Sequence, residues 1–220
     1  MTLVEAAVEN LESALSAERA GAGRIELCAS LADGGTTPDA ALIAEVKKRA
    51  AIPVFVLVRP RAGDFVYSDD EFRAMLRDIE LARSLGADGI VTGALHIDHT
   101  VDMAKATGLI KVAKGLPVTF HRAFDFTPDL AEALDQVIEC GASRVLTSGG
   151  AQTALEGAES IAALVKQARG RITIVAGGGV RDHDVRELLD RTSVSEVHSR
   201  MLDVEKMRKL VSLAAPCRGP

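Results

Sequence analysis

Short apolar runs rich in Val and Ile alternate along this chain with longer segments whose apolar residues recur at helical spacing. In one such segment Phe72, Met75, Leu76 and Ile79 fall on one face of a helix. This alternation is typical of a parallel sheet covered by helices. Eight runs predict strands, near Leu3–Ala7, Arg24–Cys28, Val54–Arg59, Gly89–Thr92, Val118–His121, Arg144–Thr147, Ile172–Gly177 and Glu196–His198.

The spacing of these strands predicts one α/β domain that spans residues 1–220, because no linker or low-complexity tract interrupts it. The expected architecture is a TIM-like (β/α)8 barrel, with residues 201–220 as a C-terminal helix and tail. A doubly wound open sheet is the alternative, although it usually has fewer strands. No Gly-x-Gly-x-x-Gly turn follows the first strand, which also disfavours that fold.

Composition narrows the classes of partner. The net charge is −5 and the basic residues form no block, so nucleic-acid and membrane-surface partners are not expected. Cys28, Cys140 and Cys217 are widely spaced and odd in number, which disfavours structural zinc and a disulfide framework. The N-terminus does not resemble a signal peptide, and no apolar run is long enough to cross a bilayer. We therefore expect a cytoplasmic protein.

Polar side chains follow several of the predicted strands at the point where each strand ends. The run Val118–Phe120, for example, leads directly into His121, Arg122 and, three residues later, Asp125. Strand residues two apart share a face, so the inward polar set can be read from the sequence. It comprises Glu26, Cys28, Arg59, Arg61, His121 and His198, with Asp64 and Asp125 on the adjoining loops. Arg122 begins on the opposite face but ends its strand, so it can turn back toward the same rim.

Two glycine-rich turns add a candidate anion site. Gly177–Gly179 follows the seventh strand, and Ser148 precedes two glycines after the sixth strand. Backbone amides in such turns can converge on an anion, and strands seven and eight often form a phosphate site in barrels. Arginine adds bidentate donors. The candidate ligand-binding residues are Arg59, Arg61, Asp64, Ser148, Gly178, Gly179 and His198.

Acid–base chemistry is the expected use of this rim. An imidazole beside a carboxylate can move a proton, which makes Glu26, His121, Arg122 and Asp125 the candidate catalytic residues. No Lys ends a strand at the predicted mouth, which disfavours a Schiff-base aldolase. The alternative is a buried ion-pair network without a catalytic role, and Arg24 or Arg144, deeper in the barrel, fits that description.

Several longer motifs together resemble the CutC family, which is named for copper tolerance. The matching segments are 24–28, 34–38, 59–68, 91–93, 119–125, 144–149, 177–179 and 196–198. The resemblance covers nearly the whole chain and implies a TIM-like barrel, a cytoplasmic homo-oligomer (dimer or tetramer) and a role in copper handling. The chain departs from the family pattern at His99, where glycine is usual, and at Arg200–Met201, where small residues are usual.

Copper is the metal that the resemblance implies, as Cu(I) held by cysteine, and Cys28 is the one cysteine that matches. Cu(I) prefers two or three soft ligands, and the sequence offers no second one near Cys28. No organic cofactor is evident. Three functions therefore stay open: copper homeostasis with Cu(I) binding, an isomerase- or lyase-type enzyme acting on a small anionic or phosphorylated metabolite, and a non-catalytic ligand-binding protein.

Overall fold

A computed structural model describes residues 2–201 and 203–215. Strands and helices alternate through this part of the chain. The strands are β1 (Leu3–Val8), β2 (Arg24–Leu27), β3 (Val54–Leu57), β4 (Gly89–Thr92), β5 (Val118–Phe120), β6 (Arg144–Thr147), β7 (Thr173–Gly177) and β8 (Glu196–Arg200). The helices are α1 (Leu11–Arg19), α2 (Ala40–Arg49), α3 (Asp69–Ser84), α4 (Met103–Val112), α5 (Leu130–Glu139), α6 (Ala158–Ala168), α7 (Val185–Thr192) and α8 (Val204–Ala214).

The eight strands close into one parallel barrel in sequence order. Closure is made by β1 and β8, in a register that pairs Leu3 with Glu196 and Glu5 with His198. On its other side β1 pairs Glu5 with Arg24 of β2. The predicted (β/α)8 barrel is confirmed, and the doubly wound sheet is excluded because an open sheet would leave β1 and β8 unpaired.

Local signals explain where the helices begin. α3 starts at a capping box in which the Ser68 side chain accepts from the Glu71 amide and Glu71 accepts from the Ser68 amide. Met75 and Ile79, from the predicted apolar stripe of this helix, are fully buried against the sheet. Among the described helices, none has the length and apolar character of a membrane span.

The strands carry a different kind of side chain on each face. Ile25 and Leu27 of β2 point outward into the large apolar core between the sheet and the helices. Phe55 and Leu57 of β3 point inward and form a small apolar cluster inside the barrel. The rest of the interior is largely polar, and it divides into a lower layer at the amino ends of the strands and a mouth at their carboxyl ends.

The lower layer consists of Glu5, Arg24, Arg144 and Glu196, together with Thr119. Arg24 donates from Nη1 to Glu5 Oε2 at 3.0 Å and to Glu196 Oε2 at 2.7 Å. The guanidinium groups of Arg24 and Arg144 lie 4.8 and 4.0 Å from the centre of the Phe55 ring. Arg144 also donates to the Thr119 hydroxyl at 3.0 Å. These contacts support a structural role for both arginines.

Candidate active site at the carboxyl ends of the strands

The carboxyl ends of the strands surround a cavity of about 380 Å³, which we call the inner cavity. Seven of the residues predicted from sequence line it: Glu26, Arg59, His121, Arg122, Gly178, Gly179 and His198. Glu26, Arg59 and His121 are each only 5–6% exposed. Side chains from β2, β3, β5 and β8 therefore converge at one rim, while their functional roles stay predictions.

Glu26 belongs to a buried cluster of three titratable groups with Glu5 and His198. One ligand atom from each of the three lies within 4.8 Å of the others. His198 Nδ1 is 2.8 Å from Glu5 Oε1, and because a carboxylate only accepts, this ring nitrogen carries a proton. Glu26 Oε2 is buried and has no hydrogen-bond partner among residues 2–201 and 203–215. Glu26 is therefore the least satisfied member of the cluster.

The surroundings shift the pKa values of these three groups in different directions. Burial raises the pKa of Glu26 to about 7; the charge of His198 opposes the shift and that of Glu5 adds to it. Burial also opposes ionisation of Glu5, but His198 and Arg24 outweigh it and hold its pKa at about 2. Burial disfavours charged His198, yet Glu26 and Glu5 together raise its pKa. At neutral pH the cluster thus holds an ionised Glu5 and a Glu26 carboxyl group poised to gain or lose a proton, beside an imidazole whose charged form the two carboxylates favour.

His121 presents a neutral imidazole to the same cavity. Its Nδ1 accepts from the Ala123 amide at 3.2 Å, so the single proton of the neutral ring is on Nε2. Burial, and then the charge of Arg59, lowers the pKa of His121 to about 3. Nε2 is buried without a hydrogen-bond partner in the described part of the chain. Gly93 permits this placement, since a Cβ there would lie 2.9 Å from the imidazole.

Arg59 holds two loops together at the edge of the cavity. Nη1 donates to Gly35 O at 2.9 Å and to Asp33 O at 3.3 Å, while Nη2 donates to Gly63 O at 2.8 Å. Its Nε is buried and unpartnered, and no described carboxylate forms an ion pair with it. Arg59 thus contributes a buried positive charge to the mouth while its terminal nitrogens fix the β2 and β3 loops.

Arg122, Asp125 and Ser148 form a connected network beside the inner cavity. A short 3-10 turn over Arg122–Phe126 returns Arg122 toward the rim, where Nε donates to Asp125 Oδ2 at 2.7 Å and Nη2 donates to Ser148 Oγ at 2.8 Å. Asp125 also accepts from Thr147 Oγ1 and from the Ser148 and Gly150 amides. With so many donors already bound, Asp125 suits a positioning role better than proton transfer.

Two further arginines line the inner cavity, Arg181 after β7 and Arg200 at the end of β8. Neither forms an ion pair with a carboxylate in the described ranges. Their neighbours Gly178 and Gly179 have φ of 107° and 71°, and their amides donate to no other described residue. The inner cavity therefore combines unpaired cations with free backbone donors, which favours an anion.

Sequence reasoning missed Glu5 and Arg181 as site residues, and it noted Arg200 as a departure from the family pattern without counting it among the candidate site residues. For two of these three residues the sequence did contain a signal that could have identified them. Arg200 lies two residues after His198 on the same strand face, and Glu5 is a lone acid within an apolar strand. Arg181 follows the glycine turn in an irregular segment, where strand periodicity predicts nothing.

Arg61 and Asp64 do not reach the inner cavity. Arg61 pairs with Glu71 and with Asp64 Oδ1, the latter at 2.9 Å, and its guanidinium lies 5.5 Å from the centre of the Tyr67 ring. The inference that Arg59 and Arg61 share a face is wrong because β3 ends at Leu57, so strand alternation does not extend to residue 61. Asp64 instead lines a neighbouring cavity.

That neighbouring space, the outer cavity, has a volume of about 440 Å³. It shares Gly34, Arg59, Phe65 and Arg122 with the inner cavity. The rest of its lining comes from the loops after β2, β3 and β4 and from the 3-10 turn: Asp33, Gly63, Asp64, Val66, Leu95, His99 and Phe126. The two cavities are therefore neighbours with a common wall.

Cys28 lies inside the barrel but is closed off from both cavities. It is fully buried in the apolar cluster with Phe55, Leu57 and Val91, and its Sγ donates to Val8 O at 3.3 Å. Burial, and then the charge of Glu26, raises the pKa of this thiol well above its usual range. Cys140, at the end of α5, lies apart from it, and Cys217 is outside the described residues.

The cluster of Glu5, Glu26 and His198 is the group of described residues that could hold a metal ion. Two carboxylates and an imidazole suit a divalent cation such as Zn²⁺ or Mn²⁺ rather than Cu(I). Glu5, however, already binds Arg24 and His198 Nδ1. Only Glu26 and the second nitrogen of His198 are left as ligands, which is few for a stable site.

Comparison with known proteins places these residues in a family. The model of the CutC family matches residues 2–216. The chain is 48% identical to the mouse (Mus musculus) "Copper homeostasis protein cutC homolog" over 89% of this chain and 72% of that protein, and 47% identical to the human protein over the same shares. It is 37% identical to a CutC protein of Streptococcus agalactiae with a crystal structure. The structural match covers 92% of this chain and 100% of that chain, with a TM-score of 0.87.

More distant structures share the fold alone. A monomeric form of phosphoribosylanthranilate isomerase from Thermotoga maritima has a TM-score of 0.64 and 13% identity, over 97% of this chain and 98% of that chain. At this identity the likeness concerns the barrel and not its chemistry. The match to the CutC family model, by contrast, extends over nearly the whole sequence, and relatives reach 48% identity. The chain therefore belongs to the CutC family.

Proposed function

We propose that this CutC-family chain is an acid–base enzyme of isomerase or lyase type that acts on a small anionic metabolite. One observation carries the proposal: Glu26 and His121 line the same cavity, and each keeps a buried polar atom, Oε2 and Nε2, without a hydrogen-bond partner among the described residues. Leaving a buried polar group unsatisfied costs about 1–3 kcal/mol. A purely structural network would not retain two such groups around one cavity, whereas an enzyme that offers them to a substrate would.

Glu26 is the proposed base. Its pKa of about 7 lets it accept a proton from carbon or oxygen at neutral pH and return it within one turnover. His198, held by Glu5 at 2.8 Å, stabilises the carboxylate that Glu26 must form before each proton abstraction. His121, neutral and with its proton on Nε2, would donate a hydrogen bond to the substrate oxygen on which negative charge develops.

The substrate class follows from the charges around the cavity. Arg59, Arg181 and Arg200 bring positive charge that no described carboxylate neutralises by direct pairing. Buried or half-buried charge without a partner is costly, so a phosphate or carboxylate group of the substrate would complete the site. The amides of Gly178 and Gly179 add donors to the same rim.

Hydrogen exchange with solvent tests the proposal even when the product is unidentified. A set of sugar phosphates and hydroxy or keto acids is incubated with the protein in D₂O and followed by ¹H NMR. We expect the wild type to catalyse loss of one C–H resonance in at least one compound. The Glu26→Gln variant should reduce that rate at least about 100-fold, the usual contribution of a general base.

The control is Glu187→Gln, which makes the same change at an exposed carboxylate on α7 that lines neither cavity and should leave the exchange rate unaltered. Exchange that is equally fast in wild type and Glu26→Gln contradicts the role of Glu26. If anions bind but no compound exchanges, the non-catalytic ligand-binding alternative is favoured instead.

Copper handling is the second candidate, and the names of the mouse and human relatives favour it. The described residues do not fit Cu(I) well, because Cys28 is the one thiol near the mouth and its neighbours are carbon side chains. We therefore propose that any link between this chain and copper does not run through a tight Cu(I) site at Cys28. We further propose a cytoplasmic homo-oligomer, which is what the family resemblance implies.

A further inference from the structure

The outer cavity has a wall chemistry unlike that of the inner cavity. Val66 and Leu95 contribute apolar surface to it, and Leu95 is 2% exposed. Phe126 stands at its opening and is 56% exposed, which makes it one of three large apolar side chains that the described chain leaves in solvent. A single exposed aromatic ring needs no explanation, but a ring that continues the apolar wall of a cavity is typical of a ligand-binding groove.

Aromatic rings connect the two cavities. The Phe126 ring lies 5.5 Å from the Phe65 ring, and the Phe65 ring lies 5.0 Å from the imidazole of His121, measured between centroids. The Arg59 guanidinium covers the Phe65 ring at 4.8 Å. Tilted rings at these separations form a surface suited to a flat, apolar group. Phe65 is thus the common wall between an apolar space and the proposed acid–base groups.

Charge is distributed to match a ligand with two different ends. The unpaired Arg181 and Arg200 and the glycine amides line only the inner cavity. The outer cavity shares Arg59 and Arg122 with the inner one, and its own polar side chains are Asp33, the paired Asp64 and the exposed His99. An anionic group therefore has more favourable partners in the inner cavity, whereas an apolar ring meets Val66, Leu95 and Phe126 only in the outer one.

We infer that the outer cavity is a second subsite for the same ligand, and that this ligand carries a planar aromatic or unsaturated apolar arm in addition to its anionic group. The inference rests on the proposed function, because the anionic group must occupy the inner cavity. The arm would lie against Phe65 and Phe126, and the shared wall would place the atoms that join the two ends beside His121.

Three simple probes test the arm separately from the anion. Inorganic phosphate, methyl phosphate and phenyl phosphate are titrated into the wild-type protein by calorimetry at constant ionic strength. Burying a phenyl ring against apolar surface is favourable. We therefore expect phenyl phosphate to bind at least about tenfold more tightly than methyl phosphate.

The Phe126→Ala variant should reduce this preference to within about twofold and leave methyl phosphate affinity unchanged. Phe126 is largely exposed, so the variant is expected to fold, and its melting temperature checks this. Ile97→Ala is the matched control, because Ile97 is 88% exposed on the β4 loop and lines neither cavity.

The outcomes separate the two proposals. If phosphate and methyl phosphate bind but phenyl phosphate has no advantage, the second subsite is overturned and the anion site stands. If the advantage survives in Phe126→Ala, the arm binds elsewhere and the assignment to the outer cavity is wrong. If none of the three probes binds, the anionic substrate of the proposed function is contradicted, and the inference is overturned with it.

Discussion

The two ends of the barrel interior use the same residue types in opposite ways. In the lower layer, Arg24 bridges Glu5 and Glu196. At the mouth, Glu26, His121 and Arg59 each keep a buried polar atom without a partner in the described chain. Burial is similar, since Arg24 is 5% exposed and these three are 5–6% exposed. The difference is in pairing rather than depth, and pairing therefore separates structural charge from charge available to a ligand.

Arg144 lies in the lower layer, but its hydrogen bonding is intermediate between that of Arg24 and that of the residues at the mouth. It donates to Thr119 and lies over Phe55, yet its Nη2 has no partner among residues 2–201 and 203–215. Burial, and then the charge of Arg24, lowers its pKa to about 10. An aromatic face can offset part of the missing hydrogen bond, so an unsatisfied atom indicates a site only when it also faces a cavity.

The largest effect should come from breaking the paired layer. Arg24→Met removes the cation shared by the buried Glu5 and the partly buried Glu196, and removal of one partner from a buried ion pair typically costs about 3–5 kcal/mol. Arg200→Met, at the mouth, removes an arginine that no described carboxylate pairs with and should cost less than about 1 kcal/mol. Urea denaturation at pH 7 compares the two. An equal loss of unfolding free energy in the two variants would show that ion pairing does not distinguish the lower layer from the mouth.

The next effect concerns anion binding at the mouth. Phosphate at about 100 times its dissociation constant should stabilise the native protein by about 2.7 kcal/mol. Melting is measured at constant ionic strength for wild type and for the double variant Arg181→Met, Arg200→Met. We expect the double variant to lose most of the gain, while Arg73→Met, an exposed arginine on α3, keeps it. An equal gain in all three proteins would make the effect a general salt response.

The third effect is the dependence of stability on pH that Glu26 confers. Its pKa rises from 4.5 in the unfolded chain to about 7 in the folded one, so the folded state binds the extra proton between these values. Stability must then decrease as pH rises from about 4.5 to 7. Glu26→Gln removes that loss and should be more stable than wild type at pH 8, by on the order of 1–3 kcal/mol, but not at pH 4.

Glu196→Gln sharpens this result because it changes the same residue type in the lower layer. It removes the ion pair with Arg24 at 2.7 Å and should destabilise the protein at pH 8. Denaturation curves at pH 4 and pH 8 test both variants. A Glu26→Gln variant that is destabilised at both pH values would mean that the carboxylate is paired in solution.

The sequence predicts the barrel well and the site in part. All eight strands occur within two residues of their predicted ends, since β-branched runs and helical periodicity are local signals. Alternation on β2, β5 and β8 also predicts correctly that Glu26, His121 and His198 share the cavity. It fails for Arg61, which follows the end of β3. It also cannot reveal that Cys28 is sealed by apolar neighbours, because that depends on contacts with other strands.

The smallest expected effect is that of Cys28 on copper. This thiol lies in the inner apolar cluster and belongs to neither layer; its S–H donates to Val8 O, and burial raises its pKa, so the thiolate that binds Cu(I) is disfavoured. Cys28→Ser should therefore change Cu(I) affinity by less than about threefold in a competition titration of the reduced protein, as should the control Cys140→Ser. A tight stoichiometric complex lost only in Cys28→Ser would require the apolar cluster to open toward the mouth. His121 or His198 would then be the expected co-ligand, and the unpaired groups at the mouth would have to be interpreted as metal ligands.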